Sequence, residues 1–164
     1  MNTQILQLTV ANDLKYLPAI LSLVREFGRI RGLNKKKQQH LELATEEAIV
    51  NAMQYALPSA QGEPLLIRCL EIPRGLCISV IDKGRPAIID FKQLEQEEVT
   101  EEDRMEQLGV LLMSDMTDRV ECRNLGMEGR EVRIEFHLED RFIVDREAEK
   151  TSCNHNGPAE SFVA

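Results

Sequence analysis

The stretch LELATEEAIVNAMQYA, residues 41–56, is predicted to form a helix around which the rest of the chain is arranged. Glu47 and Asn51 are four residues apart, so they share one face of this helix, one turn apart. A carboxylate and an amide on the packed side of a helix are costly to desolvate unless something uses them. Small or apolar residues flank both side chains: Ala44, Ala48, Ile49, Val50 and Ala52.

Nucleotide chemistry would use both Glu47 and Asn51. The amide oxygen of Asn51 can bind Mg²⁺, which takes few protein ligands and keeps most of its waters. The carboxylate of Glu47 can orient or deprotonate a hydroxyl that attacks a phosphate. The alternative is a helix that is merely rich in acids, with Asn51 near solvent. The E-x-x-x-N spacing taken alone favours this alternative.

The composition indicates one globular domain with a real core: 164 residues, 43% hydrophobic and 29% charged. The net charge of −8 argues against nucleic acid or a membrane as the main partner, since both require basic patches. We expect a cytoplasmic protein, because neither an apolar run of spanning length nor a signal peptide is visible. The cysteines lack zinc-ligand spacing and are expected to be reduced and mostly buried: Cys69, Cys77, Cys122 and Cys153.

Hydrophobic periodicity predicts an α+β fold. Pro18 is acceptable in a first helical turn, Gly32 ends that helix, and Asn34 is a suitable N-cap for the next one. Because helices and hairpins are segregated along the chain, we expect a two-layer α/β sandwich, with a mixed, mostly antiparallel sheet covered on one face by helices. The predicted strands are 4–10, 65–72, 76–81, 119–122 and 130–138, and the predicted helices are 17–31, 41–56 (capped from Asn34) and 108–116.

Asp82 follows a strand in which Leu76, Ile78 and Val80 face one way, and it continues that face. Gly84 comes two residues later. A carboxylate there could accept the exocyclic amine of an adenine, and a glycine lets the backbone come close to a ligand. The alternative is an ordinary Asp-x-Gly turn, which is a strong alternative for the tripeptide by itself.

Residues 91–106, FKQLEQEEVTEEDRME, are acidic and poor in apolar side chains, so we expect a mobile segment or a solvated helix. The next predicted helix opens at Gly109. A glycine at a helix start beside a flexible segment suits a lid that covers phosphates, while a surface loop is the alternative. Residues 35–37, three lysines in the first turn of the 34–56 helix, are interpreted as a solvated face or as a contact with an acidic partner.

Three stretches together resemble one family: EAIVN (47–51), DKG (82–84) and LGVLLM (108–113). They are similar to the N, G1 and G2 boxes of the GHKL (Bergerat) ATP-binding fold, shared by gyrase-type ATPases and histidine kinase catalytic domains. The short chain, the Y-L-P helix start (16–18) and the run L-E-L-A-x-x-E-A-x-x-N more narrowly resemble anti-sigma factor serine-protein kinases. The resemblance covers roughly residues 5–138. Taken together, the order and spacing of the three stretches favour the nucleotide-binding interpretation of each motif over the structural alternatives given above.

The resemblance implies a catalytic residue and a metal ligand. Glu47 is the implied general base for a protein hydroxyl, and Asn51 the implied ligand of the Mg²⁺ that accompanies ATP. Family members of this type phosphorylate a serine on an anti-sigma factor antagonist, bind a sigma factor in a competing complex, and commonly form dimers.

The resemblance also implies a nucleotide-binding set. Asp82 would hold the adenine amine, with Gly84 beneath the ring. Gly109 would give its backbone to the phosphates as the acidic lid closes, with Leu108 and Val110 beside it in the same box.

Four departures from the family pattern bear on ATP binding. Gln54 and Tyr55 stand behind Asn51, where the family often has a basic residue that helps to hold phosphate. Pro86 replaces a second glycine of the G1 box, and Gln107 replaces the first glycine of the G2 box. The usual Gly-Thr pair of the last hairpin is Gly129-Arg130, where the arginine could supply charge. Two functions therefore stay open: an ATP-dependent protein serine kinase, or a degenerate, non-catalytic member that acts by protein contact alone. We assign residues 1–138 to the ATPase-like domain and residues 139–164 to a flexible or partner-docking tail.

Overall fold

The computed structural model describes residues 2–55, 62–84 and 100–138, apart from the side chains of residues 102 and 103. Two short 3-10 helices lie at Leu14–Tyr16 and Gly126–Glu128. The predicted tail and Pro86 lie outside the described residues. The main elements are β1 (Thr3–Val10), α1 (Leu17–Ile30), α2 (Lys35–Gln54), β2 (Leu65–Ile72), β3 (Gly75–Asp82), α3 (Glu101–Met116), β4 (Arg119–Asn124) and β5 (Arg130–His137).

The five strands form one sheet in the order β1-β2-β3-β5-β4. All four pairings among the described residues are antiparallel. The predicted α+β class is therefore confirmed. β3 and β5 are antiparallel neighbours, so the end of β3 lies beside the start of β5. Asp82 is therefore the direct cross-strand partner of Arg130.

The core lies between the sheet and α2, the central helix of the layer. α2 contacts both α1 and α3 and packs on β3 and β5. Its buried apolar residues recur three and four positions apart, which places them on the single stripe that faces the sheet. Alternate residues of β2, β3 and β5 face the same core, because successive side chains of a strand point to opposite faces of the sheet. The buried residues of this core include Leu41, Ala44, Ala48, Ile49, Leu65, Ile67, Leu76, Ile78, Val80, Ile134 and Phe136.

The ends of α1 and α2 follow the predicted signals. Pro18 lies in the first turn of α1, and Gly32, with φ of +88°, follows its end. The Asn34 side chain accepts a hydrogen bond from the Lys37 N–H at 2.9 Å, so Asn34 is the N-cap of α2. Lys35 and Lys36 are exposed, as the solvated-face interpretation expects, whereas the half-buried Lys37 donates from its ammonium group to Asp118 at 3.0 Å and to the His137 carbonyl at 2.8 Å.

The prediction that a helix opens at Gly109 is wrong. α3 begins at Glu101, so it takes in the last part of the acidic segment, and Gly109 lies in its interior. Glutamate is a good helix former, and α3 gains packing contact with α2, which explains why the acidic composition did not prevent helix formation here. Residues 91–99 lie outside the described part of the chain.

β1 is an edge strand, and Ile5 and Leu6 on it are 47% and 41% exposed. No helix in the described ranges is long and apolar enough to cross a membrane.

Candidate functional site

α2 brings Glu47 and Asn51 to the side of the helix that faces α3. Asn51 is buried, and Glu47 is half-buried. Within the described part of the chain, the amide nitrogen of Asn51 has no hydrogen-bond partner. A buried amide donor without an acceptor costs about 1–3 kcal/mol. Asn51 is therefore a buried group that a ligand oxygen would satisfy.

Gly109 is the residue of α3 that lies against this pair. A Cβ at position 109 would overlap the Asn51 amide nitrogen and lie 2.5 Å from Glu47 Oε1, so a larger residue would displace both side chains. Since Gly109 lies inside an α-helix, its N–H belongs to the helical hydrogen-bond ladder. The backbone donation to phosphates implied for Gly109 would therefore require α3 to rearrange.

The two neighbours of Gly109 have different surroundings. Leu108 is 54% exposed, and Val110 packs against the core.

Asp82 and Gly84 form a turn at the end of β3. The Gly84 N–H donates to Asp82 Oδ1 at 2.5 Å, and the Asp82 side chain is 2% exposed. A Cβ at residue 84 would overlap that carboxylate and lie 2.9 Å from Arg130 Nε. The Asp-x-Gly turn left open by the sequence is therefore present, and it holds the carboxylate against β5.

Arg130, the first residue of β5, binds Asp82. Its Nε donates to both carboxylate oxygens, at 2.9 and 3.1 Å, and its Nη1 donates to Glu106 of α3. The Arg130 side chain is 3% exposed, so this ion pair is buried. Arg130 does supply charge at the site, and it directs this charge to the carboxylate that was expected to receive adenine.

The pKa shifts follow from burial and from this pairing. Burial raises the pKa of the Asp82 carboxyl above its ordinary value, and the charge and hydrogen bonds of Arg130 oppose that rise only in part. Burial on its own lowers the pKa of Arg130, but the charges of Asp82 and Glu106 outweigh it, and the net shift is upward. The guanidinium therefore remains charged between two carboxylates.

The described residues fit ATP in one half of the site. The buried, unpartnered amide of Asn51 and the half-buried carboxylate of Glu47 suit phosphate and Mg²⁺. Within residues 2–55, 62–84 and 100–138 no three His, Cys, Asp or Glu side chains are grouped to hold a metal. A metal ion there would depend on Asn51, waters and the phosphates themselves. In the other half, where the adenine base was expected to bind, Arg130 already binds Asp82.

The sequence profile of the histidine kinase-like ATPase domain matches residues 10–136 of the chain. The match extends from the end of β1 to within β5 and includes Glu47, Asn51, Asp82 and Gly109. The chain therefore belongs to the histidine kinase-like ATPase domain family. Domains of this family bind ATP, usually with Mg²⁺, and membership suggests ATP binding here. No curated protein sequence gives a significant match to the chain.

The sequence did not reveal that Glu106 belongs to the site, and it identified Arg130 only as a residue that could supply charge, without its partner. Glu106 is one acid among many in an acidic segment, and Arg130 is 48 residues from Asp82. The available signal was that the resemblance implies a threonine where this chain has Arg130. Only the register of β3 with β5 converts that signal into a contact.

Proposed function

We propose that the protein is an ATP-binding regulator that transfers the γ-phosphate of ATP to a serine of a partner protein. The observation that carries this proposal is the placement of Glu47 and Asn51 one turn apart on α2, both against Gly109, with the Asn51 amide nitrogen buried and unpartnered in the described structure. A helix that was merely acidic would place these groups toward solvent.

Each side chain has one role in the proposed reaction. Glu47 takes the proton of the serine hydroxyl, and Asn51 helps to hold Mg²⁺ and the phosphates. ATP supplies the phosphoryl group: the bond from its γ-phosphorus to the serine oxygen forms, the bond to the β–γ bridging oxygen breaks, and ADP leaves. Such catalysis consists mainly of positioning and charge stabilisation.

The partners in this proposal are those that the resemblance implies. The phosphorylated serine belongs to an anti-sigma factor antagonist-like protein, and the regulated protein is a sigma factor or a similar regulator in the cytoplasm. Which of these complexes forms can be measured by pulldown of each purified candidate with ATP or with ADP. Equal binding under both conditions would contradict a nucleotide-dependent switch.

We also propose a homodimer. The edge strand β1 and the adjacent end of α1 expose apolar side chains, namely Ile5, Leu6 and Ile30. Sedimentation velocity tests this proposal, and a monomer at micromolar concentration would contradict it.

Calorimetric titration with ATP and ADP, with and without Mg²⁺, tests the nucleotide site. We expect micromolar, Mg²⁺-dependent binding by the wild type and at least tenfold weaker binding by Asn51→Ala. Gln39→Ala is the matched control, because Gln39 is an exposed residue of the same helix that no motif assigns to the site. Equal binding by both variants would remove Asn51 from the site.

One observation favours a second candidate function, a non-catalytic regulator that acts by protein contact. Arg130 occupies the carboxylate expected to recognise adenine. If neither ATP nor ADP binds the wild type at millimolar concentration, this second function replaces the first.

A further inference from the structure

We infer that Arg130 determines the nucleotide affinity of this protein, by holding the Asp82 carboxylate that a base amine would need. The inference rests on the proposed function, because it concerns the same site. It assigns to Arg130 a role in nucleotide affinity rather than in catalysis.

The first step of the argument is the occupancy of the Asp82 carboxylate. Its oxygens accept two hydrogen bonds from Arg130 Nε, at 2.9 and 3.1 Å, and one from the Gly84 N–H at 2.5 Å. A carboxylate offers about four acceptor positions, and the two Arg130 contacts are charge-assisted. Because the Asp82 side chain is only 2% exposed, an incoming amine, which is neutral in adenine, reaches the carboxylate only by displacing the buried cation.

The second step is the connection from Arg130 to α3. Arg130 Nη1 donates to Glu106, whose side chain is 13% exposed. Glu106 and Gly109 are three residues apart on α3, so they lie on the same side of the helix. Gly109 is the residue that contacts Glu47 and Asn51. Arg130 thus links Asp82, where adenine was expected to bind, to α3, the helix that lies against Glu47 and Asn51.

It follows that displacing Arg130 opens both halves of the site together. When the guanidinium leaves Asp82, the link to Glu106 is lost with it, and α3 can move away from Glu47 and Asn51. A purely structural ion pair would behave differently. Its removal would lower stability, because it leaves carboxylates buried without a counter-charge, but it would not increase nucleotide affinity.

The test compares wild type with Arg130→Thr, which removes the guanidinium and leaves a small polar side chain at this position. MgATP affinity is measured by calorimetry, and amide hydrogen exchange of residues 104–108 is measured without nucleotide. We expect at least tenfold tighter MgATP binding and faster exchange of these amides. Arg123→Thr on β4 is the matched control, since it removes an arginine whose side chain is 46% exposed and which pairs with Glu121. It should change neither quantity.

Glu106→Gln is the second variant, for the case that Arg130→Thr does not fold. It retains the Arg130–Asp82 pair but weakens the link to α3, so we expect faster exchange at residues 104–108 and a smaller gain in MgATP affinity. Unchanged exchange and unchanged affinity in a folded variant would overturn the inference.

The outcomes separate this inference from the proposed function. If Arg130→Thr binds MgATP no more tightly than the wild type, the inference fails, even if the wild type phosphorylates a partner. If Arg130→Thr gains MgATP binding but neither protein transfers phosphate to serine, the inference holds and the proposed kinase function fails.

Discussion

Gly109 of α3 lies so close to Asn51 of α2 that a single added carbon at residue 109 would overlap the Asn51 amide nitrogen. This contact fixes the distance between the two helices at the candidate site. Because Gly109 contributes only backbone atoms to this contact, a larger residue at position 109 could be accommodated only by movement of the Glu47 and Asn51 side chains or of the helices themselves.

Gly109→Ala is expected to damage the site more than the fold. Alanine in a helix interior stabilises the helix by about 1 kcal/mol relative to glycine, which offsets part of the cost of moving Glu47 and Asn51. We therefore expect the urea unfolding midpoint to change little, while MgATP affinity falls at least tenfold. Ser114→Ala, at an exposed position of the same helix, is the control. Unchanged affinity in Gly109→Ala would show that this contact does not form part of the nucleotide site.

Glu47→Gln is expected to separate binding from chemistry. Glutamine retains the size of the side chain but cannot accept the hydroxyl proton, and the loss of a general base typically lowers the rate by about 10²–10⁴. We expect MgATP affinity to stay within about threefold. Formation of phosphoserine on proteins of a dephosphorylated cell extract, measured by mass spectrometry, should fall by at least about a hundredfold. Transfer that continues at the wild-type rate would rule out Glu47 as the base.

Gly129→Ala is expected to destabilise the protein more than Gly126→Ala. Both glycines have positive φ, +101° and +62°, so alanine is strained at either position. A Cβ at residue 126 meets no atom within 4 Å, whereas one at residue 129 would overlap the Asp82 carbonyl and lie 3.0 Å from Lys83 Cα.

The expected losses in the free energy of unfolding are about 1 kcal/mol for Gly126→Ala and at least about 2 kcal/mol more for Gly129→Ala. Urea denaturation followed by circular dichroism measures both. Equal losses of unfolding free energy in the two variants would contradict this prediction, because they would mean that β3 moves away from residue 129 at Asp82 without an energetic cost.

Asp118 is expected to contribute a stability that depends on pH. Its Oδ2 accepts hydrogen bonds from the His137 N–H at 2.7 Å and from the Lys37 ammonium at 3.0 Å. Burial alone raises the pKa of Asp118, but these bonds outweigh it and hold the pKa below its ordinary value of 3.8. Since the folded-state pKa is the lower one, the stabilisation is complete well above 3.8 and is lost as the pH falls through the folded-state pKa.

Asp118→Asn should therefore lower the free energy of unfolding by about 1–2 kcal/mol at pH 7 and by progressively less in acid. Urea denaturation at a series of pH values measures the difference from wild type. Asp115→Asn, at an exposed position of α3, is the control. A difference that is as large at pH 3 as at pH 7 would contradict the assignment.

Local signals were sufficient for most of the fold. β2 was predicted with its observed bounds, and Asn34 was identified as the N-cap of α2, because periodicity and capping depend on residues a few positions apart. The pairing of Glu47 with Asn51 on one helical face likewise follows from spacing alone. For α3, the sequence predicted a helix only from Leu108 onward and left residues 91–106 open between a mobile segment and a solvated helix, because residues 101–106 carry no apolar stripe of their own.

The sequence by itself determined the α+β class, the α2 helix and the presence of Glu47, Asn51 and Asp82 as candidate site residues. Only the tertiary structure decided that Arg130 binds Asp82, that Glu106 joins them, and that Gly109 lies inside a helix against Asn51. The physical reason is that strand register and helix packing bring together residues far apart in the chain. No local propensity encodes which carboxylate a distant arginine will reach.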